Sequence, residues 1–185
     1  GTPQAAIAAA GLALEAAARV QGGQKLVYAL CRPPGHHSGI DFFGGFCFLN
    51  NAALAADALS KHGNVAILDL DYHHGNGTQQ IFYERSDVLY VSTHADPAVA
   101  YPQISGFTNE VGAGAGEGHN FNFPLPLNTD DATFLDALPR AVDRVSRFSP
   151  DFLVVSLGLD GAMGDPVGTW NLTRESFEKS GAIVA

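Results

Sequence analysis

The segment Val65-Ala66-Ile67-Leu68 runs directly into Asp69-Leu70-Asp71-Tyr72-His73-His74-Gly75-Asn76-Gly77. An uninterrupted apolar run of this length reads as a buried strand. Its continuation is unusual for a core element, because two carboxylates and an imidazole recur at every second position. Side chains alternate along a strand, so Asp69, Asp71 and His73 point to one side if the extended geometry holds through them. Unpaired buried charge is costly, so such a group needs a partner. A divalent metal suits it; a structural ion-pair cluster or a helix cap is the alternative.

The flanking sequence alternates strands and helices. Thr2-Pro3 starts a helix, with Thr2 as N-cap and Pro3 at the first position, running to about Val20 and stopping at Gly22-Gly23. Lys25–Leu30 is expected to be a short strand, followed by a loop through Gly45. Asn50 or Asn51 caps a helix that ends near Lys61, with Gly63 as the stop. Val65–Asp71, Val88–Thr93 and Phe152–Leu157 are the further strands. Thr78–Arg85 and Asp130–Phe148 are helices, the second of which must accommodate Pro139, and a last helix starts at Thr173. Residues 95–128, rich in Gly and Pro, are expected to form one long loop, and such loops are usually functional.

This alternation predicts an α/β fold of three layers: a mostly parallel sheet with helices on both faces. Ligand sites in such sheets lie beyond the carboxyl ends of the strands. The polar motifs fall there: His36-His37 after the first strand, Asp71 and His73 after the second, His94 after the third and Asp160 after the fourth. With no repeat or linker, residues 1–185 read as a single domain, and the abrupt ends suggest one that is incomplete.

Composition removes several function classes. There is no apolar run long enough to span a membrane. The Ala-rich stretch from Ala5 to Ala18 contains Glu15 and has no basic region before it, so it reads as a helix rather than a signal peptide. The formal net charge is −9, which disfavours nucleic acid and is compatible with a cationic substrate, although plain solubility explains most of those charges. Cys31 and Cys47 sit in unlike contexts and imply no disulfide framework, which fits a reducing, cytoplasmic location.

Asp71, His73 and Asp160 make a plausible three-ligand metal site, the number that catalytic zinc uses while keeping a position open. His36-His37 is a tandem imidazole pair held by a rigid Pro-Pro-Gly loop. One ring can take a proton and its neighbour can stay charged, and Asp69 or Asn76 could orient each. Glycines in Gly44-Gly45 allow a substrate to approach the main chain. Phe46 and Tyr101 could wall a narrow apolar slot, with core packing an equal reading for Phe46. Cys47 is a small buried hydrophobe rather than a nucleophile. His94 satisfies a local hydrogen bond, and His62 and His119 belong to the surface. Lys and Arg are sparse near these motifs, which disfavours a phosphate substrate.

Arg32-Pro33-Pro34-Gly35-His36-His37, Gly45-Phe46-Cys47-Phe48-Leu49-Asn50-Asn51, Asp69 to Gln79, and Ser156-Leu157-Gly158-Leu159-Asp160 occur in order along nearly the whole chain. Together they resemble the zinc-dependent histone deacetylase superfamily, and within it the bacterial acetylpolyamine amidohydrolases and histone deacetylase-like amidohydrolases. Ile81 to Arg85, His94 to Pro97, Gly106-Phe107 and Gly112 to Gly114 carry the closer similarity. The resemblance implies the arginase–deacetylase fold and hydrolysis of an acetyl amide on a cationic amine, an acetylpolyamine or acetyl-lysine.

It also implies one Zn2+ per chain on Asp71, His73 and Asp160. His36 facing Asp69 would be the electrostatic or acid-side imidazole, and His37 oriented by Asn76 the general base. Gly45 would accept the substrate amide through its carbonyl, and Phe46 and Tyr101 would flank the acyl-bearing chain. Asp69, Asp71, His73, Ser92 and Thr93 match a structural K+ or Na+ site. Bacterial relatives are often homodimers. The family carries a further carbonyl-polarising Tyr downstream of the third ligand, which this sequence does not reach. The chain by itself is therefore expected to be inactive or weakly active. A fragment that binds zinc or acylated ligand without turnover is the alternative function. An arginase-like two-metal site would need more carboxylates than Asp165 supplies.

Overall fold

The computed structural model describes residues 1–185. Four parallel strands form one sheet, in the order β3-β2-β1-β4: β1 (Val65–Asp69), β2 (Val88–Ala95), β3 (Asn120–Leu125) and β4 (Phe152–Ser156). Central β1 and β2 are buried at every position, as expected where both faces are covered. Val65 and Ile67 pack with α2 (Asn51–Ser60) and α1 (Thr2–Gln21). Ala66 and Leu68 point the other way, into a core shared with Phe134, Ala137, Leu138 and Ala141 of α4 (Asp131–Phe148) and with Trp170. The short helix α3 (Asn76–Phe82) packs beside β2, and α5 (Arg174–Val184) lies on α4. Three layers result, the fold class expected from the alternation of elements.

Asn50 is the cap of α2, its side-chain oxygen accepting from Ala53 N at 3.0 Å. Thr2 is not a cap: Gly1 takes that position without a side-chain bond, and Thr2 begins the helix. Thr173 does precede α5, but its hydroxyl donates to Asp131 Oδ2 at 2.6 Å and ties α5 to the start of α4.

Two further expectations fail. Lys25–Leu30 forms no strand. Its Leu and Tyr content favours extended backbone, but a ladder needs a neighbouring strand, and Leu26, Tyr28 and Leu30 stand exposed with none. The stretch 95–128 is not one loop, because it contains a short 3-10 turn (Gly114–Gly116) and β3. Asn-Phe-Asn-Phe-Pro-Leu has weak strand character, and Pro is tolerated only because β3 is an edge. Tyr90 N donates to His119 O and Asp96 N to Leu125 O, so odd-numbered residues of β3 bond to β2. The nitrogen of Pro124 therefore faces the outer rim, where no ladder bond is lost.

Pro139 lies within α4, which continues through it because Phe134, Ala137, Leu138, Ala141 and Val145 bury one face. Proline in a helix interior costs about 3 kcal/mol by removing one bond and crowding the preceding turn. Pro139 itself is exposed, so nothing in the core depends on its ring. Pro139→Ala is expected to raise stability by about 1–3 kcal/mol, read as a higher urea midpoint with an unchanged slope.

Candidate active site

The site lies beyond the carboxyl ends of β1, β2 and β4, built on a fully buried charge. Asp69, the last residue of β1, has no solvent exposure. Its Oδ2 accepts from His36 Nδ1 at 3.0 Å and from Tyr90 OH at 3.2 Å, and its Oδ1 from the Asp71 backbone N–H at 3.2 Å. The strand ends here, so Asp71 and His73 are held by a turn and not by continued pleating. Asp71 Oδ1 accepts from His73 N at 2.8 Å, folding the segment back on itself.

Asp160 arrives from the loop after β4. Its Oδ2 lies 2.7 Å from His73 Nδ1, and its Oδ1 accepts from Tyr72 N at 3.1 Å. Asp71 Oδ1 is 3.4 Å from the same His73 nitrogen. Ligand-capable atoms of Asp71, His73 and Asp160 all fall within 4.8 Å of one another, in partly buried side chains. Two carboxylate oxygens and one imidazole nitrogen fit a hard-to-borderline divalent cation such as zinc. Burial disfavours the His73 imidazolium, but Asp160 and Asp71 overcome it and lift its pKa to about 9. A proton and a cation thus compete for the same three atoms.

The two tandem histidines occupy opposite electrostatic states. Burial works against a charged His36, yet Asp71 and Asp69 together raise it to about 9. His37 is pushed down to about 3 by burial and by the neighbouring His36 charge. Its Nδ1 donates to Asn76 Oδ1 at 2.7 Å, so the proton sits on Nδ1 and Nε2 is left as an acceptor. The rings stand 4.1 Å apart. One charged and one neutral imidazole, side by side, can respectively stabilise negative charge and accept a proton.

Gly45 packs directly on the His37 ring, and a Cβ there would overlap it, so only glycine permits this approach. Phe46 comes next at φ 66°, a left-handed conformation costly for a bulky residue, and is 79 % exposed. Tyr101 stands edge-on to His37 with centroids 4.9 Å apart, and its hydroxyl approaches Gly44. Glycine main chain, Phe46 and Tyr101 therefore border the histidine pair. Ser92 pairs in register with Asp69 across the sheet, and Thr93 is next to it in β2, both without exposure. Thr93 Oγ1 has no hydrogen-bond partner.

His94 is inside β2 rather than after it, with Nδ1 2.8 Å from Ser92 Oγ and Nε2 2.9 Å from Gly106 O. Burial pushes it down to about 4. Cys47 is buried and free, its thiol pushed up to about 12 by burial. Sequence reading overlooked Tyr90 as a third donor to Asp69, and gave no role to Gln79 or Glu110. No spacing or motif marks those contacts, because they join residues far apart in the chain.

This arrangement of a parallel α/β sheet, paired histidines and a convergent Asp-His-Asp group accompanies a family match over the whole chain. The histone deacetylase domain family matches residues 1–185, and the chain belongs to that family. Among individual relatives, it is 50% identical over 184 residues to an acetylpolyamine amidohydrolase of Burkholderia pseudomallei (strain 1710b), covering 99% of this chain and 54% of that protein. It is 45% identical to the acetylpolyamine amidohydrolase of Mycoplana ramosa, covering 100% of this chain and 55% of the relative. The crystal structure of an acetylpolyamine aminohydrolase from Burkholderia pseudomallei superposes with a TM-score of 0.93 at 49% identity, covering 95% of this chain and 52% of that one. The chain thus spans about half the length of these relatives. No helix is long and apolar enough to cross a membrane.

Competition between proton and cation gives a signed expectation. His73 is raised to about 9, so zinc must displace its proton below that pH, and affinity should climb as pH rises from 6 to 9. Asp160→Ala removes one donor and should cut zinc content sharply from about one per chain. Zinc stoichiometry after dialysis, at two pH values, checks both.

Proposed function

We propose that this chain forms the metal- and histidine-bearing part of one deacetylase-like catalytic domain. Its whole protein hydrolyses an acetyl amide on a cationic amine, an acetylpolyamine or acetyl-lysine. The observation that carries this reading is the unequal histidine pair beside the Asp71–His73–Asp160 group: His36 held charged by Asp69 and Asp71, His37 held neutral with a free Nε2. The relatives' names favour the acetylpolyamine, and the net charge of −9 accords with a cationic substrate.

In this reading, Asp71, His73 and Asp160 hold a zinc ion, which when bound polarises the acetyl carbonyl and acidifies water. His37 Nε2 takes a proton from the attacking water, and Asn76 keeps its ring in the competent tautomer. His36 remains an imidazolium through Asp69 and stabilises the negative charge that develops on the reacting centre. His37, protonated in that step, returns the proton to the departing amine and is neutral again. The Gly45 carbonyl accepts the substrate amide N–H, while Phe46 and Tyr101 exclude water along the acyl-bearing chain. Asp69, Asp71, His73, Ser92 and Thr93 would hold a structural K+ or Na+; the unpartnered Thr93 hydroxyl supports an additional polar occupant nearby.

His37→Ala should lower kcat for N-acetylputrescine by about 100-fold or more, the scale of a general base, while zinc content stays near that of the parent. Survival of most activity would sink the base assignment. Zinc and hydroxamate binding without any turnover in the intact protein would favour a binding module instead. His36→Ala removes the imidazolium beside the reacting centre and should lower kcat by about 100-fold while zinc content stays near that of the parent.

A further inference from the structure

Behind the site lies a polar cluster that the proposed chemistry does not use. Gln79, Asn120, Asn122, His74 and His94 are all at least nine-tenths buried, and they converge on one short segment after Tyr101. Glu110 is the hub. Its single oxygen Oε2 accepts from Gly106 N at 2.6 Å, Phe107 N at 3.0 Å, Gln79 Nε2 at 3.0 Å and Asn122 Nδ2 at 3.3 Å. Four N–H donors thus converge on this one carboxylate oxygen.

The remaining bonds of the cluster grip the same segment. His94 Nε2 donates to Gly106 O at 2.9 Å, and Ser105 Oγ lies 3.0 Å from His74 Nδ1. Asn122 Nδ2 also reaches Phe107 O at 3.2 Å, and Asn120 Nδ2 reaches Glu110 O at 2.7 Å. Gly106 takes φ 107° and a Cβ there would press on both His74 and His94 at 2.8 Å, so the backbone is seated as tightly as the bonds suggest. On its other side the loop is pinned by Asp96, whose backbone O accepts from Ala100 N at 2.9 Å. Tyr101 sits between these two anchors, with its ring on His37.

We propose that Glu110 is a positioning residue for substrate binding: through the Gly106–Phe107 backbone it holds the loop in the one arrangement that keeps Tyr101 against His37. The proposal rests on the catalytic reading above, in which Tyr101 walls the acyl slot. Glu110 touches neither substrate nor metal. Its effect is pre-organisation: a wall residue fixed before binding spares the cost of ordering it on binding. Removing the carboxylate strands several buried donors at once, which loosens the segment locally because the strands beneath do not depend on it.

The test uses the zinc-loaded chain as parent, Glu110→Ala, Glu110→Gln, Tyr101→Ala and the Glu110→Ala/Tyr101→Ala double variant. Two quantities are read: amide hydrogen exchange along the chain, and the affinity of a linear alkyl hydroxamate. In Glu110→Ala, exchange at Ser105 to Asn109 should speed up by about tenfold or more while β1 and α4 keep their protection. Zinc content should hold, and hydroxamate Kd should rise by about tenfold. Glu110→Gln keeps an acceptor oxygen in the same place and should recover most of both. The double variant should bind no more weakly than Tyr101→Ala, because Glu110 acts only through that ring.

Ser105→Ala cuts the His74 link alone and should give the same pattern at smaller size, which serves if Glu110→Ala fails to fold. Unchanged loop exchange, or affinity losses that add in the double variant, would overturn the proposal. A parent that holds zinc but ignores the hydroxamate, with loop exchange still accelerated in Glu110→Ala, would instead overturn the catalytic reading. Glu110 would then remain a loop anchor with no role in binding.

Discussion

The whole site is organised around a carboxylate that has no access to water. Leaving an ionised Asp69 buried and unpaired would cost several kcal/mol. Three elements supply its partners: the His36 ring from the Pro-Pro-Gly loop, the Tyr90 hydroxyl from β2 and the Asp71 backbone N–H from the turn after β1. Each partner is thereby fixed in place. His36 is oriented and kept charged, the Asp71–His73 turn is drawn back over the strand end, and β1 and β2 are locked in register at their carboxyl ends. The chemistry of the site and the packing of the sheet meet at one residue.

From that point the electrostatics spread outward with alternating sign. The Asp69 charge favours a proton on His36; that proton, with burial, disfavours one on His37; Asn76, being neutral, orients His37 without adding a charge that would restore its basicity. Adjacent residues of the same type thus take opposite states because one faces carboxylates and the other an amide. The Asp71–His73–Asp160 group then presents surplus negative charge beside this pair, which is the chemical character a bound cation balances.

Much of this was legible because it is written in short-range patterns. Val65 to Leu68 announces β1, Asn50 announces the start of α2, and Asp69 and Asp71 lie at the carboxyl end of β1, where a parallel sheet gathers its polar groups; His36 and His37, expected after a strand that does not form, reach the site on a loop instead. The errors share a physical cause. Lys25–Leu30 has strand composition, but pairing is a property of two segments, and none of β1 to β4 lies beside it. β3 was hidden because Asn120 and Asn122 look like loop residues; they are inward-facing polar side chains whose partners, Gln79 and Glu110, come from other parts of the chain. A buried hydrogen-bond network carries no periodicity, so residues that form one are indistinguishable in sequence from solvated ones. The site's wall loop was therefore visible as Tyr101 and invisible as the clamp beneath it.

Pro124 has a consequence beyond fitting an edge. An exposed strand rim is a template on which another chain can lay a strand of its own. By facing the rim with a nitrogen that carries no hydrogen, Pro124 breaks the row of donors such an intruder would need. The β3 rim is thus interrupted at one position: a strand added there would lose a ladder bond at Pro124, a loss that β4, which has no proline, does not impose.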